Sequence, residues 1–264
     1  MIFTMEMWKH KFELKKDRWV YVPTREIANH GKKIHQYLMF KWNTPLHFYH
    51  LRDGGHVAAA KLHTGNKFFA LIDIQDFFNC TTQSRVTREL KKFIPYAEAR
   101  KLAKLSTVII PNIQPVRRAI PYGFPQSPIL ATLCFNNSHA GGVISSIIKS
   151  GQVRISVYMD DIIISGNDVA VLNQEFEKVL TALVKSKYEI NEKKKKLPSL
   201  EIKVFNMLLS HNSLRVAPER MIAFVQAYAK SESDDERGGI ARYVYSVNEQ
   251  QARRHFPKHM PDYE

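Results

Sequence analysis

The chain carries 39 Lys and Arg against 25 Asp and Glu over 264 residues, a formal net charge of +14. At 44% hydrophobic and 11% aromatic it can bury a sizeable core, which excludes a disordered tail, and its length suits one domain with a small appendage. A surplus of positive charge on this scale asks for an anionic partner, nucleic acid first and an anionic membrane surface second.

Residues 1–16 read MIFTMEMWKHKFELKK, without the apolar core and cleavage site of a signal peptide, and no later apolar run approaches the ~20 residues that span a bilayer. Within residues 67–78, FFALIDI is a short aromatic and β-branched run that predicts a buried strand ending at Asp73. Val86 to Leu105 has helical period, with Leu90, Phe93, Ala97, Leu102 and Leu105 on or near one side. Ser127-Pro128 opens a further helix, with serine as its cap and proline in its first turn. From Val153 to Ser165 two β-branched runs flank Met159-Asp160-Asp161, which predicts a hairpin turning there. Asn167 or Asp168 can cap the next helix, which sets Leu172, Phe176, Val179, Leu180 and Leu183 on one stripe. The order strand, helix, helix, hairpin, helix, strand predicts an α+β fold with a mainly antiparallel sheet.

Basic charge is spread along the chain. Residues 1–41 hold nine Lys or Arg against four acids, residues 81–104 seven against two, and residues 185–203 seven against three. This pattern fits a folded body with several basic faces better than a tail. Cys80 and Cys134 lie far apart, which suits a reducing cytoplasm and gives neither a disulfide framework nor a zinc site.

Asp73, Asp160 and Asp161 all fall at predicted strand ends, where gathered like charges repel. An isolated Asp-Asp is most simply a polar turn. A divalent cation would also relieve the repulsion, and magnesium favours one or two carboxylates together with substrate phosphates.

The wider strings favour the second explanation. Asp73-Ile74-Gln75-Asp76-Phe77-Phe78-Asn79, Ile120 to Pro128 (IPYGFPQSP) and Tyr158-Met159-Asp160-Asp161 resemble, in chain order, palm motifs A, B and C of reverse transcriptases. Ile190-Asn191-Glu192-Lys193-Lys194 looks like motif D, and Phe205-Asn206-Met207-Leu208-Leu209 is similar to the strand after it, so the resemblance covers about residues 20 to 217. GFPQSP at 123–128 and GGIARYV at 238–244 look most like bacterial defence-associated reverse transcriptases of the unknown-group or abortive-infection type, related to those of retrons. The resemblance implies a right-hand polymerase fold: fingers and palm over 1–217, an antiparallel palm sheet with helices on one face, and a reduced helical thumb over 218–264.

It also implies roles. Asp73 and Asp160, assisted by Asp161 and the Ile74 carbonyl, would hold two Mg2+ ions (Mn2+ is a substitute) for phosphoryl transfer. Phe78, five positions after Asp73, would gate against the ribose 2′-hydroxyl and so favour dNTP over NTP. Asp76, Gly123, Gln126 and Ser127 would line the dNTP site, Ser127 through the amide end of its helix. Arg25, with Arg52 as a weaker second, resembles the residue that grips the triphosphate, and Lys194 matches the motif D lysine that can protonate pyrophosphate. His63 matches a family histidine with a packing role. Tyr122 departs from the glutamine common in retroviral and retron enzymes; tyrosine can stack on a base but cannot supply both hydrogen bonds of an amide.

The expected activity is RNA-directed DNA synthesis from dNTPs in phage defence, on a structured non-coding RNA template. A homo-oligomer or partner protein would supply further nucleic-acid surface. Template-independent or protein-primed synthesis by the same site, and a non-catalytic RNA-binding subunit, stay open as alternatives. A membrane-surface role has little support, because no strongly amphipathic basic helix stands out.

Overall fold

The computed structural model describes residues 7–15, 18–111 and 116–260. Strands β1 (Trp8–Lys15) and β2 (Arg18–Pro23) form an antiparallel hairpin. Thr24 then caps α1 (Arg25–Lys41), its hydroxyl accepting from the Ile27 amide. After α2 (Gly55–Lys61), β3 (Phe68–Gln75) enters the centre of the molecule. The strand runs two residues past Asp73, because Ile74 and Gln75 pair with a short strand described below.

The helix expected over 86–105 is two helices, α3 (Gln83–Leu90) and α4 (Tyr96–Leu105). Pro95 sits in extended backbone just ahead of α4; a proline inside a continuous helix would remove a hydrogen bond and clash with the preceding turn. The break resets the helical phase, so Ala99 and Ala103 are the buried positions of α4, whereas Ala97 is exposed. The pair β4 (Val108–Ile109) and β5 (Arg118–Ala119) leads to α5 (Ser127–Asn136) and α6 (His139–Ser150). Gln126, not Ser127, occupies the cap position of α5, and no side chain caps that helix.

The hairpin forms as expected, from β6 (Arg154–Tyr158) and β7 (Asp161–Gly166). Asp168 accepts from the Ala170 and Val171 amides and so starts α7 (Val169–Lys185). Next come β8 (Glu189–Ile190), β9 (Lys196–Ser199) and a three-stranded antiparallel sheet of β10 (Glu201–Val204), β11 (Met207–Ser210) and β12 (Ser213–Val216). Helices α8 (Pro218–Lys230), α9 (Asp234–Val247) and α10 (Glu249–His255) follow.

The central sheet runs β6-β7-β3-β8, with β9 also pairing β3, and every pairing is antiparallel. Strand alternation divides β3 between two cores. Ala70, Ile72 and Ile74 join the core built with α5, α6 and α7, whereas Phe69 and Leu71 join one built with β10–β12 and α9. Helices α5–α7 thus cover one face of the sheet, and β10–β12 with α9 cover the other. Burial of each such Ile or Leu contributes roughly 1.5–3 kcal/mol, so the register that places Asp73 is held firmly. Among the described residues no helix is long and apolar enough to cross a membrane.

Candidate active site

The pairing of β3 with β7 sets Asp73 opposite Asp161, and Asp160 stands in the two-residue turn before β7. The Ile74 amide donates to the Asp160 carbonyl at 2.8 Å, which ties the turn to β3. Met159, in that turn, has a left-handed φ of 56°; a non-glycine residue holds this only when its surroundings impose it.

The carboxylates lie in poorly solvated ground, with Asp73 only 2% exposed. Burial, then the charges of Asp160 and Asp73, pushes the Asp161 carboxyl up to about 7. Burial and Asp73 likewise raise Asp160 above the ordinary carboxylate range. One counter-charge reaches in: Lys194 Nζ lies 2.5 Å from Asp73 Oδ2, and Asn191 Nδ2 donates to Asp73 Oδ1 at 2.8 Å. Burial alone would lower the Lys194 pKa, but the Asp73 hydrogen bond and the surrounding carboxylates outweigh it and raise it. Hard oxygen donors that repel one another suit a hard divalent cation. No ready-made cage of three or more His, Cys, Asp or Glu ligands exists among the described residues, and Asp73 is satisfied by Lys194 and Asn191 instead.

Beside the carboxylates, Phe78 packs on Tyr122 with ring centroids 4.7 Å apart. The neighbouring Phe77 turns into the core against Phe135 and Tyr188. Arg18 from β2 lies over the Tyr122 ring at 5.0 Å, and burial pushes the Tyr122 hydroxyl up to about 12 despite that cation. Asp76 takes a left-handed φ of 47°, and its carbonyl accepts from the Cys80 amide.

Several expected substrate residues make contacts within the scaffold. Gly123 has a φ of 100°, and a Cβ there would stand 2.2 Å from the Tyr21 carbonyl. Its missing side chain thus admits strand β2, and the Tyr21 amide donates to the Tyr122 carbonyl alongside. Gln126 is 1% exposed; its amide nitrogen donates to Ser106 and its oxygen faces Gly31 of α1. Ser127 is equally buried, and its hydroxyl donates to the Pro121 carbonyl at 2.7 Å. Arg52 donates to the Leu46 carbonyl and stacks on Tyr49, whereas Arg25 is exposed at the start of α1. Neither arginine contacts the carboxylates. His63 is fully buried between Ser165 and Ser156, bridging β7 and β6, and its pKa is pushed down to about 3 by burial and then by Arg154.

Sequence reasoning missed three contributors: Arg18, Asn191 as a partner of Asp73, and His50. The Met159 amide donates to His50 Nδ1 at 3.0 Å, so Nδ1 carries no proton and Nε2 must. Nε2 then donates to Thr132 Oγ1 at 2.6 Å, and Thr132 donates to the Pro128 carbonyl at 2.8 Å. This relay joins α5 to the carboxylate turn. The Val157 amide donates to the His47 carbonyl beside it, fastening the 47–50 segment along β6. No local pattern reveals such a relay, because its members are 82 and 109 residues apart in sequence. On the other flank, the His56 ring packs against Tyr158, Phe205 and Tyr243, and Tyr158 against Phe205, with His56 Nε2 3.1 Å from the Tyr243 hydroxyl, so His56 links α9 to the strand that leads into the turn.

An antiparallel sheet carrying clustered acids at a strand-turn end, with helices behind, is the fold of the right-hand polymerases. The family model for "reverse transcriptase (RNA-dependent DNA polymerase)" matches residues 23–218, and the chain belongs to that family. Domains of that family generally use divalent metal ions. A solved foamy viral protease–reverse transcriptase in complex with double-stranded DNA is similar in fold, with a TM-score of 0.51 and 16% identity over 88% of this chain and 35% of that one. The same viral protein with an RNA/DNA hybrid gives 0.47 and 17% over 73% and 23%, and the telomerase of Candida albicans with a telomeric RNA fragment gives 0.44 and 8% over 89% and 45%. The chain spans about a third of the length of the first viral structure. No curated protein matches it.

Proposed function

We propose that this chain is the polymerising core of an RNA-directed DNA polymerase that adds dNTPs to a primer end held at the β6–β7 turn. The observation that carries this reading is the β3–β7 register: it faces Asp73 with Asp161, places Asp160 in the adjoining turn and leaves Asp160 and Asp161 crowded by like charge. Asp73, Asp160 and Asp161, with the Ile74 carbonyl, would hold two Mg2+ ions. Such ions, when bound, supply Lewis-acid activation of a primer hydroxyl and charge stabilisation of the leaving pyrophosphate. The Phe78 ring, packed on Tyr122, would leave a ribose 2′-hydroxyl no room and offers it no hydrogen-bond partner. Arg18 sits on that aromatic pair as the cation nearest an incoming triphosphate, a place expected for Arg25. Lys194, now on Asp73, is positioned to give a proton to pyrophosphate once cations take over that carboxylate. His50 holds the turn in its left-handed conformation.

Residues 1–217 would be fingers and palm and residues 218–264 a reduced thumb, consistent with the contact of α9 on Tyr158 through His56. The wording of residues 123–128 and 238–244 supports a cytoplasmic role in phage defence, copying a structured non-coding RNA into DNA. The test is incorporation by the purified chain with Mg2+, dNTPs and copurifying RNA, followed by sequencing of the product. A DNA complementary to that RNA is the expected outcome. A simple repeat or random sequence would replace RNA-directed copying with template-independent synthesis. Metal binding is read separately, by titrating Mn2+ into the wild type and into Asp160→Asn and following the heat released.

A further inference from the structure

A second basic site lies away from the carboxylates. Helices α3 and α4 and the start of β5 enclose a groove of about 680 Å3, within the size range of small-ligand sites. Arg88, Lys91, Arg100 and Arg117 line it, and no carboxylate does. Arg88 rests its Nε on the buried Glu89 at 3.0 Å, which holds the side chain while leaving it 55% exposed. Lys91, Arg100 and Arg117 are exposed and make no ion pair among the described residues. Arg118, at the groove wall, is committed to the carbonyls of Lys104 and Thr107 and so fastens β5 to the end of α4.

Two large apolar side chains stand open beside these cations, Tyr96 at 59% and Val116 at 63% exposure. A groove that only neutralised an acidic protein segment would have no use for an exposed ring. Cations that track phosphates next to an aromatic face are what an unpaired nucleic acid strand requires. A duplex keeps its base faces stacked internally and offers none to Tyr96. The guanidinium fork also matches phosphate geometry, and three of the four cations are arginine.

We propose that this groove binds a single-stranded segment of nucleic acid, with its phosphates on Arg88, Lys91, Arg100 and Arg117 and a base stacked on Tyr96. The site would anchor a strand outside the polymerising centre.

Fluorescence anisotropy of a labelled, primer-free single-stranded RNA of about 12 nucleotides, within the roughly 4–16-nucleotide footprint of such grooves, tests this on the full chain in EDTA. The variant Lys91→Ala/Arg100→Ala/Arg117→Ala should bind at least about tenfold more weakly, with a log–log salt slope shallower by about 2. A control, Lys149→Ala/Lys185→Ala/Lys187→Asn, removes the same charge from exposed positions. Asparagine is used at 187 because that residue has a φ of 60°. The control should stay within about threefold of wild type, as loss of bulk charge alone would predict. Tyr96→Ala should weaken binding about fivefold or more, and Tyr96→Phe should not. Equal losses in the two triple variants, wild-type binding by Tyr96→Ala, or competition by poly-glutamate as strong as by RNA at equal charge would each overturn the proposal.

Discussion

The β6–β7 turn and the 120–128 loop stand side by side and carry equally suggestive strings, YMDD and IPYGFPQSP, yet they are built on opposite terms. In the loop the protein answers most polar groups itself: Ser127 donates a hydrogen bond to the Pro121 carbonyl, the Gln126 amide nitrogen donates to Ser106 while its buried oxygen has no partner, and Gly123 makes room for Tyr21. In the turn it leaves Asp160 and Asp161 half-buried, close together and raised in pKa. A polar group that its own fold satisfies is scaffold. One that the fold crowds and leaves in conflict is waiting for something from outside.

The largest effect should come from breaking the turn's chemistry without its structure. Asp160→Asn should cut dNTP incorporation by at least about 10³-fold. Because it removes one of the repelling charges, its melting temperature should equal or exceed that of wild type by a few degrees. A large fall in melting temperature would show that the acids are structural and would erase the contrast with the loop.

Acid tests the buried histidines around the turn and the sheet. His47, His50 and His63 are held neutral, with pKa values pushed by burial to about 4, 4 and 3. The unfolded chain binds more protons than the fold below the ordinary value of 6.5, so stability is complete above it and drains as pH falls towards 4. The loss approaches about 1.4 kcal/mol per pH unit for each histidine. Asp160 and Asp161, raised in the fold, act the other way, so Asp160→Asn/Asp161→Asn should lose stability more steeply with acid than wild type. Denaturant unfolding at stepped pH measures both slopes.

Smaller effects sharpen the boundary between the regions. Phe78→Val should lower discrimination between dNTP and NTP about 10²-fold, read as the ratio of the two kcat/KM values. An unchanged ratio would remove Phe78 from the gate. His50→Ala should lower kcat about tenfold with little change in KM for dNTP, since it loosens the turn and not the pocket. His50→Asn, which keeps an acceptor for the Met159 amide, should recover part of that loss.

Much of this could be read from the chain before it folded. The apolar run FFALIDI, the alternation in VRISV and the run Ile162 to Ile164 specified three strands, because one-residue slips would move Ile72 and Ile162 out of the core. Asp168 as a cap and the stripe through Leu172 and Leu183 specified α7. The acids, and through them the family, were legible because metal-dependent phosphoryl transfer needs carboxylates at fixed places on adjoining strands. The break at Pro95 was legible too, but helical period on both sides masked it.

What only the tertiary structure decided is which polar groups have partners. Nothing local shows that Gln126 meets Ser106, that Lys194 and Asn191 close on Asp73, or that Arg18 crosses from β2 to Tyr122. His50 and His63 look alike in the chain, yet one braces the turn and the other rivets β6 to β7. Side-chain chemistry and spacing follow from the sequence. Satisfaction of a buried polar group depends on atoms brought from distant segments, and those meet only when the sheet and its helices have packed.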